Sequence, residues 1–173
     1  MGEIQKTHEW LVVAWTFFWR TAMTTLTYAC PPEIAKFVHK AAREWNATLR
    51  DLVELKPVGD GKAEILIMWG KIDRVKHPTR IAECRHLGVD SWLILLSDQV
   101  PWAVKWWDRF IGRGEDVLSA MLHELGHVFD LPHASDPFFV MFPEIPRVKS
   151  LSIKEKSLYR GKFLRELEDF DES

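Results

Sequence analysis

Apolar and polar positions along this chain follow two periods, and the switches between them outline a fold. Residues 33–49 place Ile34, Phe37, Val38, Ala41, Trp45 and Leu49 at steps of three and four, which gives one apolar side of a helix. Pro32 stands just before it, where a first-turn proline is tolerated. Residues 24–30 (TTLTYAC) are rich in β-formers and read as a strand that Pro31 and Pro32 stop. Residues 51–58 (DLVELKPV) alternate and read as a second strand. Gly59-Asp60-Gly61 is a turn, and residues 63–69 (AEILIMW) form an apolar strand expected at the centre of a sheet. Residues 80–86 and 91–97 (SWLILLS) give two more strands about a turn at Gly88-Val89-Asp90. A helix begins near Asp116 and runs through His127 to about Phe129. The chain is irregular after Pro132 until Ser152-x-x-Glu155, a capping box that opens a last helix through Leu158, Tyr159, Phe163, Leu164 and Leu167. The order β-α-β-β-β-β followed by two helices predicts an α/β layered domain with a mixed, twisted sheet of about five strands.

A chain of 173 residues suits one domain with a full hydrophobic core, and no linker or repeat divides it. The formal net charge of −2 gives no reason to expect a nucleic-acid partner. The nine tryptophans read mainly as core and packing residues. Two cysteines, Cys30 and Cys84, are too few for a disulfide scaffold; free thiols are favoured over a single bridge. The apolar run at residues 10–19 (WLVVAWTFFW) falls well short of the roughly 20 residues that span a bilayer. It has the length of a signal-peptide core, but Glu3, Lys6 and Glu9 precede it and no small-residue cleavage site follows. It is read as an ordered element packed on the domain, with an intracellular location favoured over secretion and a monomer expected.

The chemistry concentrates in residues 123–133, HELGHVFDLPH. His123 and His127 stand four apart, one turn apart on one helix face, where two imidazoles take neighbouring corners of a metal tetrahedron. Glu124 lies beside the first ligand without binding, the place for a base acting on metal-activated water. Pro132 ends the helix near Phe129, so the chain can bring His133 back as a third ligand. Three neutral histidines leave a fourth position open, as in catalytic rather than structural zinc sites. A bare H-E-x-x-H also arises in unrelated helices as a pair of surface or core histidines; the third histidine makes the pattern far more specific.

HELGHVFDLPHASDPFFVMFP resembles the zinc-binding and Met-turn region of the metzincins, and of the matrixins (matrix metalloproteinases and relatives) in particular. His123, Glu124, His127, His133, Asp136, Met141, Phe142 and Pro143 fall at the family's spacing. Residues 26–46 are similar to the family's first strand and helix, residues 63–69 to its A-D-I-x-I strand, and LSIKEKSLY to the start of its C-terminal helix. The resemblance covers a core at residues 24–159, between an N-terminal apolar segment (1–23) and a C-terminal helix extension (160–173). Two positions depart from the pattern: Asp130 replaces the glycine of the turn between second and third ligands, and Ala134 replaces a serine. Asp tolerates left-handed backbone better than most residues, so the turn remains feasible. There is no inhibitory Cys-switch motif. His77 and Asp73 do not complete the family's structural sites, so neither structural calcium nor a second zinc is supported, and His77 and His86 read as surface histidines.

The resemblance implies a zincin-like fold and a zinc endopeptidase with one catalytic Zn2+ on His123, His127 and His133 and Glu124 as general base. Met141 would be the Met-turn residue beneath the metal. Pro143 and Ile145 would line the specificity pocket, and an extended peptide or protein substrate would pair with the edge strand near Ala82. Two rival readings stand beside it: a metzincin-fold binding or structural module with little turnover, and a protease dedicated to one partner.

Overall fold

The computed structural model describes residues 24–59, 62–73, 79–104, 114–145 and 148–168. The apolar run at 10–19, Asp60 and Gly61 of the expected turn, His77, and residues 169–173 lie outside the described residues.

The elements are β1 (Thr24–Ala29), α1 (Ala35–Thr48), β2 (Val53–Pro57), β3 (Ile65–Gly70), β4 (Ala82–Gly88), β5 (Ser91–Ser97), α2 (Val117–Val128) and α3 (Ile153–Glu168). The five strands form one sheet in the order β2-β1-β3-β5-β4. Four strands run parallel, and β4 alone pairs antiparallel, to β5. This is a mixed α/β sheet with β3 at its centre, as its apolar sequence predicts.

One face of the sheet carries the core. Leu26, Tyr28, Ile65, Ile67, Ile94 and Leu96 are buried with the inner faces of α1 and α2, including Val38, Ala41, Trp45, Leu118, Leu122 and Leu125. Trp45 Nε1 donates to the carbonyl of Leu122 at 3.0 Å, so the indole's polar atom is satisfied within the apolar contact between the helices. The other face differs from what the unbroken apolar run of β3 suggests. Leu66 is 41% and Met68 40% exposed, because the strand alternates sides and the helices cover only one of them.

The two edges of the sheet are unlike. Thr24 N–H bonds Leu52 O and Val58 N–H bonds Tyr28 O, so alternation turns the backbone of Val53, Leu55 and Pro57 away from β1. The outward N–H groups and the Leu55 carbonyl are closed. Val53 N–H donates to Leu49 O, and Asn46 of α1 accepts from Leu55 N–H at 2.8 Å while donating to Leu55 O at 3.1 Å. Pro57 has no N–H. At the other edge, Ser97 N–H bonds Ile81 O, which turns the backbone of Ala82, Cys84 and His86 outward. No described strand pairs with that side of β4. No helix among the described residues is long and apolar enough to cross a membrane.

Candidate metal centre

The helix that carries the histidines is defined by its two ends. At the start, the Asp116 carboxylate accepts from the N–H groups of Leu118 (3.0 Å) and Ser119 (3.3 Å), an N-cap that satisfies two free donors. At the end, Asp130 N–H bonds His127 O and Leu131 N–H bonds Gly126 O, both at 3.1 Å. That pair of bonds is the Schellman stop, which needs left-handed backbone at the residue after the cap. Asp130 occupies that position with φ of 53°. The sequence departure at Asp130 therefore falls where glycine is ordinarily favoured, and Asp adopts the conformation at some cost.

The stop reverses the chain and returns His133 to the helix. His127 Nε2 lies 3.1 Å from His123 Nε2 and 3.2 Å from His133 Nε2. Three nitrogens bound to one tetrahedral ion at a Zn–N distance of about 2.05 Å would stand ~3.3 Å apart, close to these spacings. The outer ring nitrogens fix the tautomers. His123 Nδ1 donates to Val140 O at 2.8 Å and His127 Nδ1 to Leu131 O at 3.0 Å. A carbonyl oxygen only accepts, so each Nδ1 carries the ring proton and each Nε2 presents a lone pair. Burial lowers the pKa of His123 to about 4 and also lowers that of His127, which keeps both rings neutral near pH 7. Two neutral nitrogens with lone pairs directed at one another 3.1 Å apart repel, and a shared cation makes the arrangement favourable. These three histidines are positioned to hold a metal ion, and they are the cluster of that kind among the described residues. His86 is not part of it; it is exposed and packs edge-on to Trp92.

Glu124 is 2% exposed and turns toward β4, where the backbone N–H of Cys84 donates to its carboxylate. Burial is the main cause that raises its pKa to about 8; Glu83 pushes the same way, and Arg80 and the Cys84 N–H oppose it. Its Oε2 has no hydrogen-bond partner among the described residues. The contact to Cys84 has no signature in the sequence, because it depends on the register that turns that N–H outward.

Met141 is fully buried, and its sulfur packs on the bare Cα of Gly126 in α2. Ala134 N–H bonds Met141 O at 2.8 Å, which closes the loop between the third histidine and the methionine. Among the expected substrate-contact residues, Ala82 is buried with only its backbone directed to the free edge of β4. Pro143 is exposed, and Ile145 is half-buried against the core. Cys30 and Cys84 are both free thiols, and burial pushes the pKa of each up.

Gly126, Glu155 and Asn46 have roles that the sequence alone does not give. Gly126 reads in the sequence as a tolerated helix glycine. Glu155 reads only as a helix cap, yet its carboxylate also accepts from Val140 N–H at 2.5 Å. Asn46 reads as a polar helix position and closes the far edge of the sheet. In comparisons with known proteins, no protein-family model and no curated protein matches the chain.

Proposed function

We propose that this protein is a zinc-dependent endopeptidase of metzincin type, with His123, His127 and His133 as the ligands and Glu124 as general base. The observation that carries the reading is the convergence of three Nε2 atoms, two of them presenting lone pairs because carbonyl bonds fix the proton on the far side of the ring. A three-histidine set with an open position suits catalytic zinc better than a closed structural site. Bound there, Zn2+ supplies Lewis acidity toward water and toward a carbonyl oxygen. Glu124 has the chemistry of the proton carrier: one carboxylate oxygen is held by the Cys84 N–H and the other is unpartnered. A cation held by the histidines would favour the charged carboxylate, which can accept a proton from water and return it to a departing amine. The outward N–H and C=O groups of Ala82 and His86 offer an extended peptide an antiparallel partner, with specificity left to side-chain contacts.

The test joins two measurements on the purified chain: zinc per chain after dialysis, and cleavage of an unstructured protein with and without chelator. One zinc per chain and chelator-sensitive cleavage that Glu124→Ala abolishes are expected. One zinc with no cleavage by the wild type would leave a binding module or a protease dedicated to one partner, and no zinc would reject the metal assignment.

A further inference from the structure

We propose that Glu155 is a positioning residue for the histidine cluster, holding the ring of His123 through the backbone of Val140. This rests on the reading of the cluster as a metal site. Glu155 stands in the first turn of α3, is 2% exposed, and uses both carboxylate oxygens. Its Oε2 accepts from Ser152 N–H at 2.8 Å and from Ser152 Oγ–H at 2.7 Å, while Glu155 N–H donates to Ser152 Oγ at 3.2 Å. Those three bonds complete the capping box and need only one oxygen. The other oxygen leaves the helix and accepts from Val140 N–H, fifteen residues earlier.

Val140 is fully buried, and its carbonyl is the acceptor for His123 Nδ1–H. A run of bonds therefore joins α3 to a ligand ring: Glu155 carboxylate, Val140 N–H, Val140 C=O, His123 Nδ1–H. The same end of α3 grips the neighbouring residues. Lys154 Nζ lies 5.0 Å above the Phe139 ring and 3.8 Å from Asp136 Oδ2, and the Tyr159 hydroxyl sits against the backbone of Met141. Charged acceptors bind an N–H about twice as strongly as neutral ones, so the Glu155 bond is a strong hold on the Val140 backbone. If Val140 shifts, His123 loses the acceptor that sets its tautomer and ring angle. Partners of that kind typically change metal affinity about 10- to 100-fold when removed.

Glu155→Gln separates this role from simple capping. A glutamine has one acceptor oxygen where the carboxylate has two, so it cannot accept from both Ser152 N–H and Val140 N–H. The control is Ser152→Ala, which weakens the cap and leaves the Val140 bond available. Two readouts apply: imidazole 15N–1H spectra of the metal-free chain, which report the His123 tautomer, and the zinc dissociation constant. In Glu155→Gln, His123 is expected to lose its single Nδ1–H tautomer and zinc affinity to fall about tenfold. Ser152→Ala is expected to lower thermal stability with the His123 signal and zinc affinity at wild-type values. If Glu155→Gln does not fold, Glu155→Asp makes the same comparison, because its carboxylate retains the cap and is one methylene short of Val140. Wild-type tautomer and affinity in the folded Glu155 variant, with only stability reduced, would overturn the proposal. A wild-type chain that binds no zinc would overturn the metal reading, and the imidazole spectra would still decide the role of Glu155.

Discussion

The sulfur of Met141 rests on the α-carbon of Gly126, with no room between them for a side chain. A β-carbon at position 126 would overlap Met141 Sδ and stand 3.1 Å from Met141 Cε and 3.2 Å from Trp45 Cζ2. Two effects compete in Gly126→Ala. Alanine gains up to about 1 kcal/mol of helix propensity, while overpacking a full core costs about 1–3 kcal/mol. Met141 and Trp45 are both fully buried and have little freedom to retreat, so overpacking wins and the melting temperature should fall. In a Met141→Ala background the overlap is gone and the same substitution should be neutral or stabilising. A double-mutant cycle by thermal unfolding should therefore give a coupling above about 1 kcal/mol. A rise in melting temperature for Gly126→Ala alone would refute the contact.

That pair shows where the sequence was readable. The i, i+4 spacing of His123 and His127, the third histidine and the Ser152–Glu155 box are local patterns, and the structure places all of them as expected. The succession of strands and helices along the chain follows from period, and the end of α2 from Pro132; the order of the strands within the sheet does not. Gly126 was not legible, because its meaning comes from a methionine fifteen residues on. The Glu155 bond to Val140 spans the same separation and has no periodicity to reveal it. Leu66 and Met68 gave the opposite difficulty: an apolar run states that residues are apolar, not which side the helices cover.

Glu124 and His123 give the metal-free chain a pH signature. The His123 pKa is lowered from 6.5 to about 4, so the unfolded chain binds the extra proton between these values and stability rises with pH across that window. The Glu124 pKa is raised from 4.5 to about 8, so the folded chain holds the extra proton and stability falls as pH climbs toward 8. Above pH 6.5 only the Glu124 contribution remains of the two. Denaturant unfolding in chelator should show the wild type losing on the order of 1–2 kcal/mol between pH 6.5 and 8, with a much flatter profile for Glu124→Gln. Equal slopes would show that Glu124 is not held protonated by burial.

Removing a ligand should exceed any effect on its supports. His133→Ala should weaken zinc binding by more than the roughly 10- to 100-fold typical of supporting residues, and His86→Ala should leave it unchanged. Competition against a chromophoric chelator measures both. Equal affinities would point to a different third ligand.

Asp130 sits at φ of 53° inside the helix stop, so Asp130→Gly should relieve strain and raise stability by about 1 kcal/mol. The outer nitrogens of His123 and His127 are already taken by Val140 O and Leu131 O, so zinc affinity should stay within about tenfold for Asp130→Gly and Asp130→Asn. Isothermal titration of both variants checks this. A larger loss in the folded glycine variant would make the Asp130 carboxylate an acceptor for a ligand ring.

Asn46→Ala should cost about 1–2 kcal/mol, since it leaves the Leu55 N–H and C=O without their partner at the sheet edge. Sedimentation of the variant should also show association beyond a dimer, because a second sheet edge is then free to pair. A monomeric variant of unchanged stability would mean that water replaces the amide at no penalty.

The closed β2 edge and the open β4 edge limit how many copies of this fold can join through their sheets. A strand edge free on both sides would let molecules add without end, as in fibres. Among the described residues β4 is the edge left for such pairing, and two β4 edges meeting about a two-fold axis would leave no second edge to recruit a third molecule. Such a pair would also bury the backbone groups that a bound peptide needs. Self-association and peptide binding would then be mutually exclusive, and rising protein concentration would act as a competitor for the same edge.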